Sequence, residues 1–262
     1  MRKVMLAICL STVVLAPSSA WAQINFPMTG YYAAIGDSVA AGEGALPVTN
    51  GYAYELYGRG VFGPIPETHF ANLSARGARS WELRDRQVPQ LLCAEPSRRP
   101  TVVTITAGAN DFLRGDGDIS SIARRVADAV ALLLNNASPF GTPPVLDRVT
   151  TGSPCRPLEG VTILVSNYYS IPHPVPLVAA QLDAALRGFD QALRYWLQYV
   201  PVPAGSSVTV VDLYTDSVGT QGLVTIERRL GFSGVFDFDV HPTNLGHQYI
   251  AGEFGRAWQS LQ

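Results

Sequence analysis

The sequence from Thr101 to Ala107 is TVVTITA, a run of apolar and β-branched residues that ends at Gly108. Such a continuous run indicates a strand that is buried on both faces. Similar runs lie at Val161–Ser166 (VTILVS) and Ser207–Val211 (SVTVV). Strands of this kind are typical of a parallel sheet that helices cover on both sides.

The segments around these strands alternate between strand and helix patterns. We predict two more strands, at Tyr31–Ile35 and Thr68–Leu73, and helices at Ser80–Leu92, Ile119–Asn135, Leu177–Tyr199 and about Thr243–Leu261. This order predicts an α/β fold with a mainly parallel sheet. The segment Pro139–Pro157 is predicted to be a surface loop, and Gly42–Glu67 an irregular loop near the site.

The composition favours one globular domain and excludes some partners. The chain has 262 residues, 47% of them hydrophobic, which is enough for one sizeable core. Its net charge is -2, whereas a surface that binds nucleic acid is strongly basic. We therefore expect no nucleic-acid partner. A monomer is also expected, although nothing in the composition indicates the oligomeric state.

The first residues have the pattern of a secretory signal peptide. Arg2 and Lys3 precede an apolar run from Val4 to about Leu15, and the small residues of Ala20-Trp21-Ala22 suit a signal peptidase. The apolar run is shorter than the ~20 residues of a membrane-spanning helix, so we expect no stable span. Cleavage after Ala22 would leave one domain, residues 23–262, in the periplasm or outside the cell.

The same cleavage changes which chemistry the mature chain can perform. Lys3 is the only lysine, so the mature protein would lack Schiff-base chemistry and a Ser–Lys dyad. Cys9 would also be lost, leaving Cys93 and Cys155 in an oxidising compartment. We predict that these two cysteines form a disulfide; the alternative is two buried free thiols.

The first candidate for chemistry is Gly36-Asp37-Ser38, at the end of the first predicted strand. Ligands of open parallel sheets bind outside the carboxyl ends of the strands. We expect Ser38 to begin a helix, where free N–H groups stabilise a developing oxyanion. The alternative is that Ser38 only caps this helix. Asp37 is expected to stabilise the turn.

A second candidate, Gly108-Ala109-Asn110-Asp111, follows the strand at Thr101–Ala107. It brings Asn110 to the same edge of the sheet as Ser38, and its amide can donate a hydrogen bond to an oxyanion. The alternative is an ordinary Gly-Asn turn.

The third candidate is His241, which precedes the last predicted helix and follows Asp237 and Asp239. A histidine with a nearby carboxylate suits a general base and the group that orients it. The alternative is a surface turn capped by Thr243. The other histidines fit less well: His69 begins a strand at the opposite edge, His173 lies between prolines, and His247 lies within the helix.

Together these motifs resemble the SGNH or GDSL-type serine esterase/lipase superfamily, as a secreted bacterial-type member. The resemblance rests on their order along the chain, and Gly77, after the second strand, fits a remaining family element. It implies a three-layer α/β/α sandwich with a flavodoxin-like sheet and ester hydrolysis without a metal or other cofactor. The chain departs from the family pattern at Phe238, because the family aspartate usually lies three residues before the histidine.

The resemblance implies a role for each of these residues. Ser38 would be the nucleophile, His241 its base and Asp239 the carboxylate that orients His241, with Asp237 or a main-chain carbonyl as alternatives. Ser38, Gly77 and Asn110 would form the oxyanion hole.

The substrate is expected to be a small-molecule or lipid carboxylic ester. We expect two segments to shape its pocket: Gly42–Glu67, with Tyr52, Tyr54, Tyr57 and Phe62, and Tyr168–Pro176. Their aromatic residues and prolines favour an apolar pocket.

Three other functions remain open. The same site could remove O-acetyl groups from carbohydrates. A metal-dependent phosphoesterase could use Asp37, Asn110, Asp111, His173 and His241 as ligands. A non-catalytic, glycan-binding pseudoenzyme could use the tyrosines of Gly42–Glu67.

Overall fold

In the computed structural model, the chain is described over residues 30–144, 155–171, 173, 175–218 and 240–262, with the backbone alone at 227–230 and 236–239. The predicted signal peptide and part of the Pro139–Pro157 loop lie outside these residues. No helix of the described residues is both long and apolar enough to cross a membrane.

The central sheet has five parallel strands. They are β1 (Tyr32–Gly36), β2 (Phe70–Asn72), β3 (Val102–Thr106), β4 (Thr162–Ser166) and β5 (Ser207–Val211), in the order β2-β1-β3-β4-β5. β2 to β5 each lie within a predicted strand, and β1 extends one residue beyond its predicted end, Ile35. This is the flavodoxin-like order, in which the chain changes direction across the sheet between β1 and β3.

Helices cover both faces of the sheet. They are α1 (Tyr52–Gly58), α2 (Ser80–Glu82), α3 (Val88–Leu92), α4 (Ala109–Arg114), α5 (Ile119–Asn135), α6 (Pro176–Leu197) and α7 (Asn244–Gln259). A π-helical turn, Leu83–Gln87, joins α2 to α3. Residues of α3, α5 and α6 share one hydrophobic core, and those of α1 and α7 share the other. The predicted three-layer α/β/α sandwich is confirmed.

Strand β1 shows why apolar runs predict this architecture. Ala33 and Ile35 pack in the core with α5, whereas Tyr32 and Ala34 pack in the core with α7, and all four are fully buried. Because successive side chains point to opposite faces of a strand, two buried faces require a continuous apolar run.

The segment Gly42–Glu67 differs from its prediction as a loop. It contains α1, and the ring of Tyr52 stacks on Phe254 of α7 at 5.0 Å between centroids. The Tyr52 hydroxyl also lies 2.7 Å from Thr106 Oγ1 in β3. Tyr52 is therefore a core residue, because its ring and its hydroxyl both have partners inside the protein.

The segment after Ser38 also differs from its prediction, because residues 38–44 form turns rather than a helix. Ala41 N donates to Asp37 O at 3.0 Å, which closes one helical turn, but Glu43 N then donates back to Ser38 O at 2.9 Å. Gly42, which has a positive φ of 87°, thus ends the helical conformation after a single turn.

A disulfide joins Cys93, directly after α3, to Cys155, in the segment before β4. The predicted pairing is confirmed. Two short antiparallel strands, β6 (Glu227–Leu230) and β7 (Phe236–Asp239), lie outside the main sheet and were not predicted.

Candidate active site

Three of the predicted site residues lie together at the carboxyl ends of β1 and β3. Ser38 follows β1, Asn110 lies in the first turn of α4 after β3, and His241 lies three residues before α7. These three residues line one cavity, together with Tyr168, which follows β4. The cavity lies where the strand order reverses, which is the usual ligand site of such sheets.

The side chains of Ser38 and His241 are in direct contact. His241 Nε2 lies 2.8 Å from Ser38 Oγ, and Ser38 is only 6% exposed. The backbone at Gly44, after the turn of Ser38, packs directly against His241 and Pro242. A Cβ atom at Gly44 would lie only 2.3 Å from Pro242 O and 3.0 Å from His241 Cβ. Only glycine allows this close approach, and Gly44 also has a positive φ of 88°.

Hydrogen bonds on both sides of Ser38 hold its turn in place. Gln87 Nε2 donates to Gly36 O at 2.8 Å, and Gly36 N donates to Gln87 Oε1 at 2.6 Å. Asp37 accepts hydrogen bonds from Val39 N at 3.0 Å and from the Tyr168 hydroxyl. Burial raises the pKa of Asp37 to about 6, although these hydrogen bonds act in the opposite direction. The contacts of Asp37 are those of a residue that stabilises the turn.

The candidate oxyanion donors lie on three segments. Asn110 Nδ2 donates to Ala78 O at 3.0 Å, which joins α4 to the loop that carries Gly77. Gly77 does not line the cavity itself. Within the described part of the chain, the backbone N–H groups of Ser38 and Gly77 have no hydrogen-bond acceptor. Asn110 therefore lines the cavity with Ser38, and Gly77 adjoins Ala78, the residue that Asn110 contacts.

Asp111 does not line the cavity; it stabilises the segment that follows the Gly77 loop. It is fully buried and accepts hydrogen bonds from Ser80 N at 2.7 Å, Ser80 Oγ at 2.6 Å and Arg125 Nη2 at 3.0 Å. Among the described residues, no group of three or more His, Cys, Asp and Glu residues is placed to hold a metal ion. Of the five proposed phosphoesterase ligands, Asp111 and His173 lie outside the cavity lining.

His247 has a structural rather than a catalytic role, as its place within the last predicted helix indicated. It is fully buried, with Tyr52 N donating to Nδ1 at 3.2 Å and Nε2 donating to Glu43 O at 2.9 Å. Burial lowers the pKa of His247 to about 4, so the ring is neutral at neutral pH. It thereby joins α7 to the turn that follows Ser38.

The carboxylates proposed to orient His241 lie in β7. The backbone of Asp237, Phe238 and Asp239 is in an extended conformation. The side chains of Asp237 and Asp239 lie outside the described residues, so the orienting role of Asp239 remains a prediction.

The cavity walls differ in part from the sequence prediction. Tyr168, Tyr169 and Ile171 line the cavity, as expected for the Tyr168–Pro176 segment. Tyr52, Tyr54, Tyr57 and Phe62 do not. Tyr57 stacks on Phe70 at 4.7 Å, and Phe62 packs against Tyr32 and Trp258, so these aromatic rings anchor the segment rather than form a pocket.

Apolar residues of α4, α5 and α6 form the remaining walls, which sequence reasoning did not find. They are Phe112, Leu113, Ile119, Ile122, Leu182, Ala185, Leu186 and Phe189. Their helical spacing was visible in the sequence, but the same spacing also predicts an ordinary core face.

Comparison with known proteins agrees with this arrangement. The model of the GDSL-like lipase/acylhydrolase family matches residues 34–249. No curated protein matches the sequence.

Several solved structures share the fold at low sequence identity. TesA is 19% identical with a TM-score of 0.55, over 88% of this chain and 99% of its own. A lipolytic protein of the G-D-S-L family from Veillonella parvula is 16% identical with a TM-score of 0.54, over 87% and 98%. A carbohydrate esterase of family 3 from Talaromyces cellulolyticus is 16% identical with a TM-score of 0.53, over 88% and 97%.

The protein belongs to the GDSL-like lipase/acylhydrolase family, because the family model covers most of its length. This membership places it among the carboxylic ester hydrolases.

Proposed function

We propose that the protein is a secreted serine hydrolase that cleaves carboxylic esters through an acyl-enzyme on Ser38. The observation that supports this most directly is the 2.8 Å contact between Ser38 Oγ and His241 Nε2. A histidine nitrogen at this distance can accept the hydroxyl proton as the nucleophile attacks. The mature enzyme would be residues 23–262, a single hydrolase domain in the periplasm or outside the cell.

The reaction proceeds in two steps, acylation of Ser38 and hydrolysis of the acyl-enzyme. Ser38 Oγ bonds to the ester carbonyl carbon while its proton passes to His241 Nε2, and the tetrahedral intermediate then expels the alcohol, which takes that proton. Water next attacks the acyl-enzyme, again losing a proton to His241, and this proton returns to Ser38 Oγ as the carboxylic acid leaves. No step needs a metal or another cofactor.

The oxyanion of each intermediate would be stabilised by the N–H groups of Ser38 and Gly77 and by the Asn110 amide. The two backbone N–H groups lack acceptors within the described residues, and the second hydrogen of Asn110 Nδ2 remains for the substrate after the first binds Ala78 O. Removing one such donor typically costs about 3 kcal/mol of transition-state stabilisation.

For His241 Nε2 to accept a proton, Nδ1 must carry the other hydrogen and donate it. Asp239 is our proposed acceptor, and it would fix this tautomer. Asp239→Asn should lower kcat by orders of magnitude, with Asp237→Asn as the matched control in the same strand. If Asp237→Asn has the larger effect, Asp237 is the orienting residue; if both effects are mild, a main-chain carbonyl fills this role.

A carbohydrate O-acetyl esterase is the second candidate, because one structural neighbour is a carbohydrate esterase.

Purified protein should be assayed on nitrophenyl esters and on acetylated xylan, with EDTA present. The proposal requires hydrolysis of the nitrophenyl esters that survives EDTA and is lost in Ser38→Ala. Equal activity of Ser38→Ala would reject it, EDTA-sensitive activity would favour the metal-dependent alternative, and no activity would favour a binding protein.

A further inference from the structure

A second cavity lies at the opposite end of the sheet from Ser38. It has a volume of about 330 Å³, and its lining includes Arg99 from the segment that leads into β3. Arg156 and Glu159, from the segment that leads into β4, also line it. Because these segments meet the amino ends of parallel strands, whereas Ser38 follows the carboxyl end of β1, this cavity is distinct from the candidate active site.

The disulfide links the two segments that form this second cavity. Cys93 lies shortly before Arg99, and Cys155 directly precedes Arg156. Hydrogen bonds reinforce the junction, because Leu92 O accepts from Arg156 N at 3.0 Å and from Arg99 Nη2 at 3.1 Å. Two arginines thus line one cavity from segments whose backbones are covalently fixed to each other.

The guanidinium of Arg99 is held by main-chain oxygens rather than by a carboxylate. Nη1 donates to Pro157 O and Nη2 donates to Leu92 O, both at 3.1 Å. Nε is buried and has no hydrogen-bond partner among the described residues. Since carbonyl groups are neutral, the positive charge of this partly buried cation is left uncompensated, and buried charges are ordinarily paired.

Arg156 adds a second positive charge to the cavity. Its side chain is exposed and forms no ion pair within the part of the chain that the structure describes. Burial and, after it, the charge of Arg156 lower the pKa of Arg99, whereas Glu159 acts in the opposite direction. Of the described lining residues, two are arginines and one, Glu159, is acidic, so the cavity has a net positive charge.

We propose that this cavity is a binding site for a phosphate group, held between Arg99 and Arg156. A guanidinium donates two parallel N–H groups to phosphate oxygens, and two arginines on separate segments suit an anion with several acceptor oxygens. A phosphate group carries about two negative charges at neutral pH, which matches the two guanidinium groups. The same chemistry is present in a soluble phosphate monoester and in the headgroup of phosphatidic acid.

Calorimetric titration of the mature protein, residues 23–262, with inorganic phosphate at constant ionic strength tests the inference. We expect saturable binding that Arg156→Gln weakens at least about tenfold, the usual effect of losing a charge-assisted hydrogen bond. Arg187→Gln is the matched control, because it removes an exposed cation of α6 that pairs with Asp183 and should leave the affinity unchanged. The absence of saturable binding to wild type, or equal weakening by both variants, would overturn the inference.

Two further variants test the charge and the geometry of the site separately. Glu159→Gln removes the acidic lining residue and should strengthen phosphate binding several-fold, because a like charge no longer opposes the anion. Arg99→Lys keeps the positive charge but removes the planar fork, so it should weaken binding while the protein stays folded. Phosphate affinity that is unchanged in both variants would contradict the assignment.

Vesicle binding distinguishes the two sources of phosphate. Co-sedimentation with phosphatidylcholine vesicles that contain phosphatidic acid, if lost in Arg156→Gln and kept in Arg187→Gln, assigns the site to a lipid headgroup. Saturable binding of glycerol phosphate with the same dependence, and no vesicle binding, assigns it to a soluble monoester. Hydrolysis of nitrophenyl esters should be unchanged in Arg156→Gln, so failure of this site leaves the proposed function intact.

Discussion

The Tyr168 hydroxyl joins the turn of Ser38 to the turn of Asn110. It donates a hydrogen bond to Asp37, the residue before Ser38, and accepts one from Ala109 N at 3.0 Å. One phenol thus links the proposed nucleophile to the proposed oxyanion donor, although it need not touch the substrate's reacting atoms. Tyr168 is therefore a positioning residue.

Tyr168→Phe should lower kcat about tenfold to a hundredfold, because small displacements of reacting groups have effects of this size. KM should change little, since the ring that lines the cavity remains. A steady-state analysis on one nitrophenyl ester separates the two constants. Tyr249→Phe, which removes a hydroxyl that donates to Leu213 O away from the cavity, serves as the control. A rise in KM with unchanged kcat would contradict the positioning role.

His247 should make the free energy of unfolding depend on pH. Its folded pKa of about 4 lies below the ordinary value of 6.5, so its contribution is complete above pH 6.5 and is lost as pH falls towards 4. The loss amounts to about 3 kcal/mol. Asp37 acts with the opposite sign, because its folded pKa is raised to about 6 and its contribution is lost as pH rises.

The His247 effect therefore has to be measured as a difference between two proteins. The stability advantage of wild type over His247→Gln should shrink by about 3 kcal/mol between about pH 7.5 and about pH 4. Urea unfolding at both pH values measures it. A constant advantage would mean that His247 titrates normally in the fold.

The disulfide should contribute substantially to stability. It closes a loop with a sequence separation of 62, for which chain entropy predicts about 4 kcal/mol. The double variant Cys93→Ser/Cys155→Ser should unfold at correspondingly lower denaturant concentration. An alkylating reagent should add mass to the denatured mature protein, residues 23–262, only after reduction; labelling without reductant would contradict the pairing.

The sequence predicted the strands better than the turns. β3 is a continuous run of β-branched residues, and such a run is typical of a strand that is buried on both faces. The segment after Ser38 has helix-forming alanines, but Gly42 has a positive φ and Glu43 N donates to Ser38 O, which ends the helical conformation after one turn. Local propensity predicted a longer helix there, whereas the left-handed conformation of Gly42 ends it.

The cavity walls were the least predictable part of the site. Phe189 and Leu193 are four residues apart on one apolar face of α6, and their sequence pattern is the same. Both belong to the hydrophobic core, and only the tertiary fold shows that Phe189 also lines the cavity. The cluster of Ser38, Asn110 and His241 was predictable, because each residue adjoins the end of a strand or the start of a helix on one edge of the sheet.

The most direct test of the central claim is covalent labelling of the folded protein with a fluorophosphonate, read by peptide mass spectrometry. The account predicts one label per chain on Ser38, at a rate that falls by orders of magnitude in His241→Ala. Labelling on another serine, or labelling of Ser38 that does not depend on His241, would contradict it.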